Sequence, residues 1–221
     1  NGKFELNTGS IPTSAPTQYP FNLNNYNDPA QKEKAIYHWT PDITNYSDPN
    51  QKLNYQMSGL DDLNTENPEV VEALIDAYSY WIKEVGVDGF RVDTAMYVPK
   101  EFFDKFFKGE KGIFSLRKDF IAFGETWLSG KPLEYTSDME IASYFDHGFN
   151  SMLDFTLMEE IRRVIKGGQP TEFLAYRMKV RNEILKKGLL VTFIDNHDME
   201  RFGKGVTPNI TMQALGFLLT L

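Results

Sequence analysis

Three acidic residues of the sequence each follow a short, largely apolar run, a pattern that could concentrate carboxylates at one place in the fold. They are Asp93, Glu125 and Asp198, which follow the runs at 87–92, 120–124 and 189–194. Short apolar runs bounded by Gly and polar residues are typical of buried parallel strands. Because the strands of a parallel barrel present their carboxyl ends on one face, we expect the three carboxylates to converge. Such crowding opposes stability through charge repulsion and suits acid–base and nucleophilic chemistry.

Two of these carboxylates have neighbours that fit a chemical role. Arg91 lies two residues before Asp93, on the same face of the same strand, where its charge would keep the Asp ionised as a nucleophile requires. Glu125 lies close to Trp127, and a carboxyl beside an indole is partly desolvated, which raises its pKa and suits a general acid. Each acidic residue taken alone also has a structural alternative. Asp93 could cap a helix, Glu125 could pair with a Lys or Arg, and Asp198 could belong to a turn.

Strand and helix patterns alternate from about residue 59 to the end of the sequence. Asn67 and Pro68 are typical of a helix start, and an amphipathic pattern follows as far as Gly86. The other helices are predicted near 99–108, 156–166, 171–187 and from 208 onwards, and the strands at 87–93, 120–125, 149–155 and 189–195. This alternation predicts an α/β fold with a parallel sheet. Residues 1–58 are polar and irregular, with Asp-Pro turn signals near residues 28 and 48.

The composition excludes several classes of protein and of site. The 221 residues carry a net charge of −8, which argues against nucleic acid as a partner because phosphate backbones require a basic surface. The sequence has no cysteine, so disulfides, thiolate metal sites and a Cys nucleophile are excluded. No apolar run approaches 18 residues, so no membrane span is predicted. The first residue is not Met and the last residues continue a helical pattern, which favours a segment of a longer chain.

Three segments resemble sequence signatures of the α-amylase superfamily of glycoside hydrolases. They are Gly-Phe-Arg-Val-Asp-Thr-Ala at 89–95, Gly-Glu-Thr-Trp at 124–127 and Phe-Ile-Asp-Asn-His-Asp at 193–198, in the order of that family. Leu-Asp-Asp-Leu-Asn at 60–64 resembles a further signature. The resemblance implies part of a (β/α)₈ TIM barrel, about strands four to seven with their helices, and a polar subdomain inserted after the third strand. Residues 1–58 would be the remainder of that insert, and 59–221 the partial catalytic barrel.

The resemblance also implies roles for the acidic residues. Asp93 would be the nucleophile, Glu125 the acid/base, and Asp198 the carboxylate that stabilises the transition state. The reaction would be cleavage of α-glucosidic bonds with retention, through a glycosyl-enzyme. The substrates would be starch, malto-oligosaccharides or cyclomaltodextrins. Residues expected to contact substrate are Arg91, Tyr97, Trp127, Asn196 and His197, with packing as the alternative for Trp127 and Tyr97.

The sequence departs from the family pattern at two places. Met96-Tyr97 stands where many members carry Lys-His, and the signature expected at the end of the third strand has no match in residues 1–58. The first departure leaves the cleavage pattern and the presence of calcium open. A structural calcium is possible, but no metal ligand is assigned, since the acidic residues of the insert lack the spacing of a calcium loop. These acidic residues are Asp42, Asp48, Asp61 and Asp62. The chemistry itself requires no cofactor.

Other functions remain open at this point. A transglycosylase or an α-glucosidase of the same superfamily would carry the same three carboxylates. A glucan-binding relative without activity would not need all three, and an unrelated α/β protein would match them only by chance. Polymeric glucan is met outside the cell, which favours an extracellular or periplasmic location over the cytoplasm. The oligomeric state is left open.

Overall fold

The computed structural model describes residues 16–221, which form two compact units. Residues 16–87 and Tyr97–Asp119 make up the first unit, and Asp88–Met96 with Phe120–Leu221 make up the second. The first unit contains helices α1 (Pro29–Glu33), α2 (Pro49–Asn54), α3 (Pro68–Tyr80), α4 (Lys100–Phe103) and α5 (Ile113–Leu116). The second contains strands β1 (Gly89–Val92), β2 (Ile121–Gly124), β3 (Ser151–Leu153) and β4 (Leu189–Val191), and helices α6 (Thr136–Ser143), α7 (Phe155–Ile161), α8 (Glu172–Ile184) and α9 (Pro208–Leu218).

Several helices continue into tighter or wider turns. A π-helical turn follows α3 at Trp81–Val85, α4 at Asp104–Lys108 and α7 at Arg162–Lys166. Single 3₁₀ turns lie at Ala95–Tyr97 and Tyr144–His147. Among residues 16–221, no helix is long and apolar enough to cross a bilayer.

The four strands of the second unit form one parallel sheet in the order β1-β2-β3-β4. The sequence prediction of an α/β fold with four parallel strands is therefore confirmed. The strands are shorter than predicted, and β4 ends at Val191 and not at Asp195. β4 ends there because its partner β3 ends at Leu153, which pairs with Val191, and Asp154 already caps α7. In the following loop, the Asp195 carboxylate accepts hydrogen bonds from the Phe202 amide and the Arg201 guanidinium.

Helices α7, α8 and α9 supply an apolar core for the second unit. Its buried members are Leu157, Ile161, Val164, Leu174, Phe202 and Ala214. A second cluster lies where β3 passes into α7, with Leu153, Phe155 and Met158 buried against Phe123, Val191 and Phe193. These contacts fix α7 against both the sheet and its neighbouring helices, which makes α7 a rigid support for the loops beside it.

The polar segment of the first unit is organised by helix caps and one apolar cluster. Asp28 and Asp48 each accept backbone N–H bonds at a helix start with Pro at the first position, so the two predicted turns are the starts of short helices. Ile36, Tyr37 and Val70 form the buried cluster, which attaches this segment to α3. α3 begins at the predicted cap, since the Asn67 side chain accepts a bond from the Glu69 amide.

Candidate active site

The register of β1 and β2 places Asp93 and Glu125 beside each other. Val92 pairs with Gly124, so the two acidic residues follow at the same end of the sheet. The Glu125 amide donates to the Val92 carbonyl at 2.8 Å, and the Ala95 amide donates to the Glu125 carbonyl at 3.0 Å. Backbone pairing of parallel strands therefore brings together two carboxyl groups that are distant in sequence.

Arg91 lies between the two carboxyl groups. Its Nη2 is 2.8 Å from Oε1 of Glu125, and its Nη1 is 3.4 Å from Oδ1 of Asp93. The sequence indicated Asp93 as the partner of this guanidinium, whereas the shorter contact is with Glu125. Glu125 is 6% exposed and the Asp93 side chain is 64% exposed. The guanidinium thus supports a buried carboxyl group and leaves its neighbour open to a ligand.

The backbone at Thr94 is strained, and its amide faces Glu125. Thr94 has φ +50°, a left-handed conformation that is uncommon for a β-branched residue. In that conformation the Thr94 amide donates to Oε2 of Glu125 at 3.3 Å. Strain of this kind persists where the surrounding structure over-determines it and is concentrated at functional sites.

The two carboxyl groups have pKa values shifted in opposite directions. Burial raises the pKa of Glu125, and a hydrogen bond to Asp93 raises that pKa further. The same hydrogen bond is the largest cause that lowers the pKa of Asp93, and the charge of Arg91 lowers it as well. Their contact thus shifts the two pKa values in opposite directions. Two carboxyl groups whose pKa values are shifted in opposite directions are suited to separate roles as acid and nucleophile.

The third carboxylate lies in the loop after β4. Oδ2 of Asp198 is 3.1 Å from Nε2 of His197, and the Asp198 amide donates to Oδ1 of Asn196 at 3.0 Å. The side chains of His197 and Asp198 are 69% and 42% exposed. Across residues 16–221, no hydrogen bond or ion pair joins Asp198 to Asp93 or Glu125. The structure thus forms two groups, one around Glu125 and one around Asp198.

The two aromatic residues expected at the site have different surroundings. Trp127 stacks on Phe155 with 5.4 Å between ring centroids and remains 42% exposed, so it packs and also presents free ring surface. Tyr97 belongs to the first unit, where it meets Tyr46 edge-on at 6.3 Å and lies under Lys52 at 5.8 Å. Burial raises the pKa of Tyr97 above its ordinary value.

A fourth strand-end carboxylate, Asp154, was not assigned from the sequence although it also follows an apolar run. It is 1% exposed, caps α7 through the Leu157 amide at 3.1 Å and pairs with Nε of Arg181 at 3.0 Å. Burial raises its pKa. Its oxygens are occupied by protein donors, so its role is to fix the start of α7.

The acidic residues considered for calcium are engaged separately. Asp48 caps α2, Asp42 accepts from the Gly59 amide at 3.0 Å, Asp61 accepts from Gln56, and Asp62 pairs with His38. Within the described part of the chain, no group of three or more His, Asp or Glu side chains could hold a metal ion. These four acidic residues therefore do not form a metal-binding cluster with one another.

Comparison with known proteins identifies the family. The family model for the α-amylase catalytic domain matches residues 14–216. The chain belongs to the α-amylase family. It is 31% identical to a cyclomaltodextrin glucanotransferase of Klebsiella oxytoca in an alignment of 203 residues that covers 88% of this chain and 29% of that protein. It is 32% identical to an α-amylase of Streptomyces lividans over 195 residues, covering 80% and 18% of the two chains. This α-amylase-family chain thus spans less than a third of either relative.

Solved structures agree with this assignment. An α-amylase of Anoxybacillus matches 86% of the chain with a TM-score of 0.68 and 32% identity, over 40% of its own length. An α-amylase of Geobacillus thermoleovorans, solved with acarbose, matches 86% with a TM-score of 0.66 and 30% identity, over 41% of its length. Because these α-amylase relatives are TIM barrels matched over part of their chains, the predicted partial barrel is confirmed.

Proposed function

We propose that the protein containing this chain is a retaining glycoside hydrolase of α-glucosidic bonds. The favoured bonds are α-1,4 bonds in starch, malto-oligosaccharides or cyclomaltodextrins. The observation that carries the proposal is the Asp93–Glu125 pair, in which one hydrogen bond lowers the pKa of an exposed carboxyl group and raises that of a buried one. Such a pair supplies an ionised nucleophile and a protonated acid at the same pH.

In the first half of the reaction, an oxygen of the Asp93 carboxylate attacks the anomeric carbon. The bond from that carbon to the glycosidic oxygen breaks, and Glu125 transfers its proton to the departing oxygen. The products are a glycosyl ester on Asp93 and a sugar with a free hydroxyl group. Arg91 remains within 2.8 Å of Glu125 and stabilises the carboxylate that forms there.

In the second half, the Glu125 carboxylate removes a proton from water. The water oxygen attacks the anomeric carbon from the face that the first leaving group occupied, and the ester to Asp93 breaks. Two displacements restore the original anomeric configuration. Retaining enzymes hold their two carboxyl groups about 5–5.5 Å apart, and inverting enzymes hold them about 6.5–9.5 Å apart to admit a water molecule. Two carboxyl groups that one Arg91 guanidinium contacts at adjacent strand ends favour the shorter separation.

The remaining residues are proposed to bind the sugar. Asp198 and His197 present adjacent exposed oxygen and nitrogen atoms, which can hold two neighbouring hydroxyl groups. Asn196 orients Asp198 because its side-chain oxygen accepts a hydrogen bond from the Asp198 backbone amide. The exposed ring surface of Trp127 offers a stacking platform two residues beyond Glu125. Tyr97, which follows Asp93 by four residues, is a further proposed contact. In this proposal residues 1–58 are the inserted subdomain and 59–221 the catalytic barrel.

Transglycosylation is a second candidate. Its support is the 31% identity to a cyclomaltodextrin glucanotransferase, which is as close as the match to an α-amylase. Both reactions form the same ester on Asp93, and they differ in whether water or a sugar hydroxyl accepts the glycosyl group.

Product analysis tests the proposed function and separates these candidates. The full-length protein is mixed with maltoheptaose, and the first products are followed by proton NMR. We expect the new reducing ends to appear as the α-anomer before mutarotation, because two displacements retain configuration. Products longer than maltoheptaose would identify transfer. Initial β-anomer, or no product with the three carboxylates intact, would contradict the proposal.

The pH dependence of kcat/KM provides a further prediction. Activity needs Asp93 ionised, which holds above its lowered pKa, and Glu125 protonated, which holds below its raised pKa. We therefore expect a bell-shaped profile with an acidic limb below the usual Asp value of about 3.9 and a basic limb above the usual Glu value of about 4.3. The profile of Glu125→Gln, measured with an activated substrate, should lose the basic limb. A basic limb that persists in this variant would show that another group titrates there.

A further inference from the structure

We infer that Arg162 and Arg163 position the two loops that carry the candidate catalytic carboxylates. The Glu125 loop (residues 125–131) follows β2, and the Asp198 loop (residues 194–204) follows β4. The two arginines are consecutive residues at the start of the π-helical turn that continues α7. Each donates to a backbone carbonyl of one loop. The inference rests on the proposed function for its catalytic consequence and on the contacts below for the positioning itself.

Arg162 holds the Asp198 loop at two points. Its Nη1 donates to the Ile194 carbonyl at 3.0 Å, and its Nη2 donates to the Glu200 carbonyl at 2.9 Å. These carbonyls lie on either side of Asn196-His197-Asp198 in the chain. One planar guanidinium therefore binds both ends of the segment that carries the third carboxylate. Lys166, one turn later, donates to the Phe202 and Lys204 carbonyls at 3.1 and 2.8 Å.

Arg163 holds the Glu125 loop. Its Nη2 donates to the Gly130 carbonyl at 3.0 Å, while its Nη1 is 3.0 Å from both oxygens of Glu160. Glu160 is 1% exposed, so the carboxylate that orients Arg163 is buried. Ser129 donates to Glu159 at 2.8 Å, which adds a second attachment of the loop to α7.

A second arginine, which is buried, supports the same loop from α8. Arg177 is fully buried, pairs with Asp138 and lies 3.7 Å from Glu160. Its Nη2 donates to the Lys131 carbonyl at 3.3 Å. A Cβ added to Gly130 would lie 2.9 Å from that Nη2, so the loop backbone packs directly on the guanidinium. The Glu125 loop is therefore held by charged donors on two helices.

Both loops are therefore attached to the same helical turn, the one that contains Arg162 and Arg163. No recorded hydrogen bond or ion pair within residues 16–221 connects Asp198 to Glu125, so their separation depends on what holds each loop. Consecutive residues of a helix project in different directions, which lets one turn of α7 reach both loops. An error of about 1 Å in a catalytic group can cost about 100-fold in rate. We therefore assign Arg162 and Arg163 as positioning residues.

Hydrogen exchange and kinetics of the full-length protein test this inference. The variants are Arg162→Met and Arg163→Met, with Arg162→Lys and Arg163→Lys as conservative counterparts. Val180→Ala, a buried truncation in α8, controls for lost stability, and Lys187→Met, which removes the ion pair to Asp146, controls for lost charge. Each protein is analysed for melting temperature, for amide exchange in residues 125–131 and 194–204, and for kcat and KM on maltoheptaose.

We expect each Met variant to raise exchange in its own loop more than in the other loop. We expect kcat to fall about 10- to 100-fold in each, with a smaller change in KM, because orientation is lost and the binding groups are kept. Lys should restore part of kcat, since it can still donate one bond to a carbonyl. Neither control should raise exchange in either loop selectively.

Three results would overturn the inference. The first is unchanged exchange in both loops, and the second is loss of kcat in Val180→Ala equal to that in the Met variants at the same melting temperature. The third is an equal rise of exchange in both loops for each Lys variant, which also decides the case if a Met variant does not fold. If the wild-type protein does not cleave glucan but the exchange pattern is selective, the proposed function fails and the positioning role stands.

Discussion

The Glu125→Gln variant is expected to hydrolyse malto-oligosaccharides about 10²- to 10⁴-fold more slowly than the wild-type protein, the usual contribution of a general acid–base group. Gln has the shape of the protonated acid, but it can neither protonate the departing oxygen nor remove a proton from water. The melting temperature should not fall, because the change removes a group whose charged form is disfavoured by burial. The loss should therefore be kinetic and not structural.

Activated substrates distinguish this mechanism from a loss of folding. α-Glucosyl fluoride has a leaving group that needs little protonation, so Glu125→Gln should still form the glycosyl ester and release fluoride. Azide, a nucleophile that needs no general base, should restore turnover of that ester. The matched control is Glu172→Gln, an exposed carboxyl in the first turn of α8, which should keep full activity. Full activity of Glu125→Gln on maltoheptaose would exclude Glu125 as the acid/base.

Asp93→Asn is expected to reduce activity by about 10⁴-fold or more, the order of loss found when a catalytic nucleophile is removed. An amide is a poor nucleophile, and the variant also replaces the anionic neighbour of Glu125 by a neutral one. The Arg91 contact to Glu125 at 2.8 Å does not depend on Asp93, so the fold around the site should persist. Neither activated substrates nor a change of pH should restore the lost activity.

Trapping the intermediate identifies the nucleophile directly. A fluorinated glucosyl fluoride forms the ester faster than the ester is hydrolysed, because the added fluorine slows both steps and the activated leaving group speeds only the first. Peptide mass spectrometry should find one added fluorosugar on Asp93. Asp119→Asn, which changes an Asp whose side chain is 81% exposed, is the control and should label as the wild-type protein does. A label on another residue would contradict the assignment of Asp93.

The fold was largely predictable because its signals are local. Apolar runs and helical spacing gave the strand and helix order, and an Asn-Pro pair predicted the start of α3 at Pro68. Strand ends were less predictable. β4 ends at Val191 because its partner β3 ends at Leu153, where Asp154 caps α7, and the apolar run of β4 itself does not indicate where its partner ends.

For the candidate site, the sequence by itself determined which residue types lie at the strand ends. An acidic residue directly follows the apolar runs that form β1 and β2. Parallel pairing of these strands then makes Asp93 and Glu125 neighbours. How these groups interact is visible only in the tertiary structure. Burial of Glu125, its contact with Arg91 and the support of the loops by Arg162 and Arg163 join residues about 30 or more positions apart. Such contacts depend on register, rotamer and packing, and these are properties of the whole fold and not of any short segment.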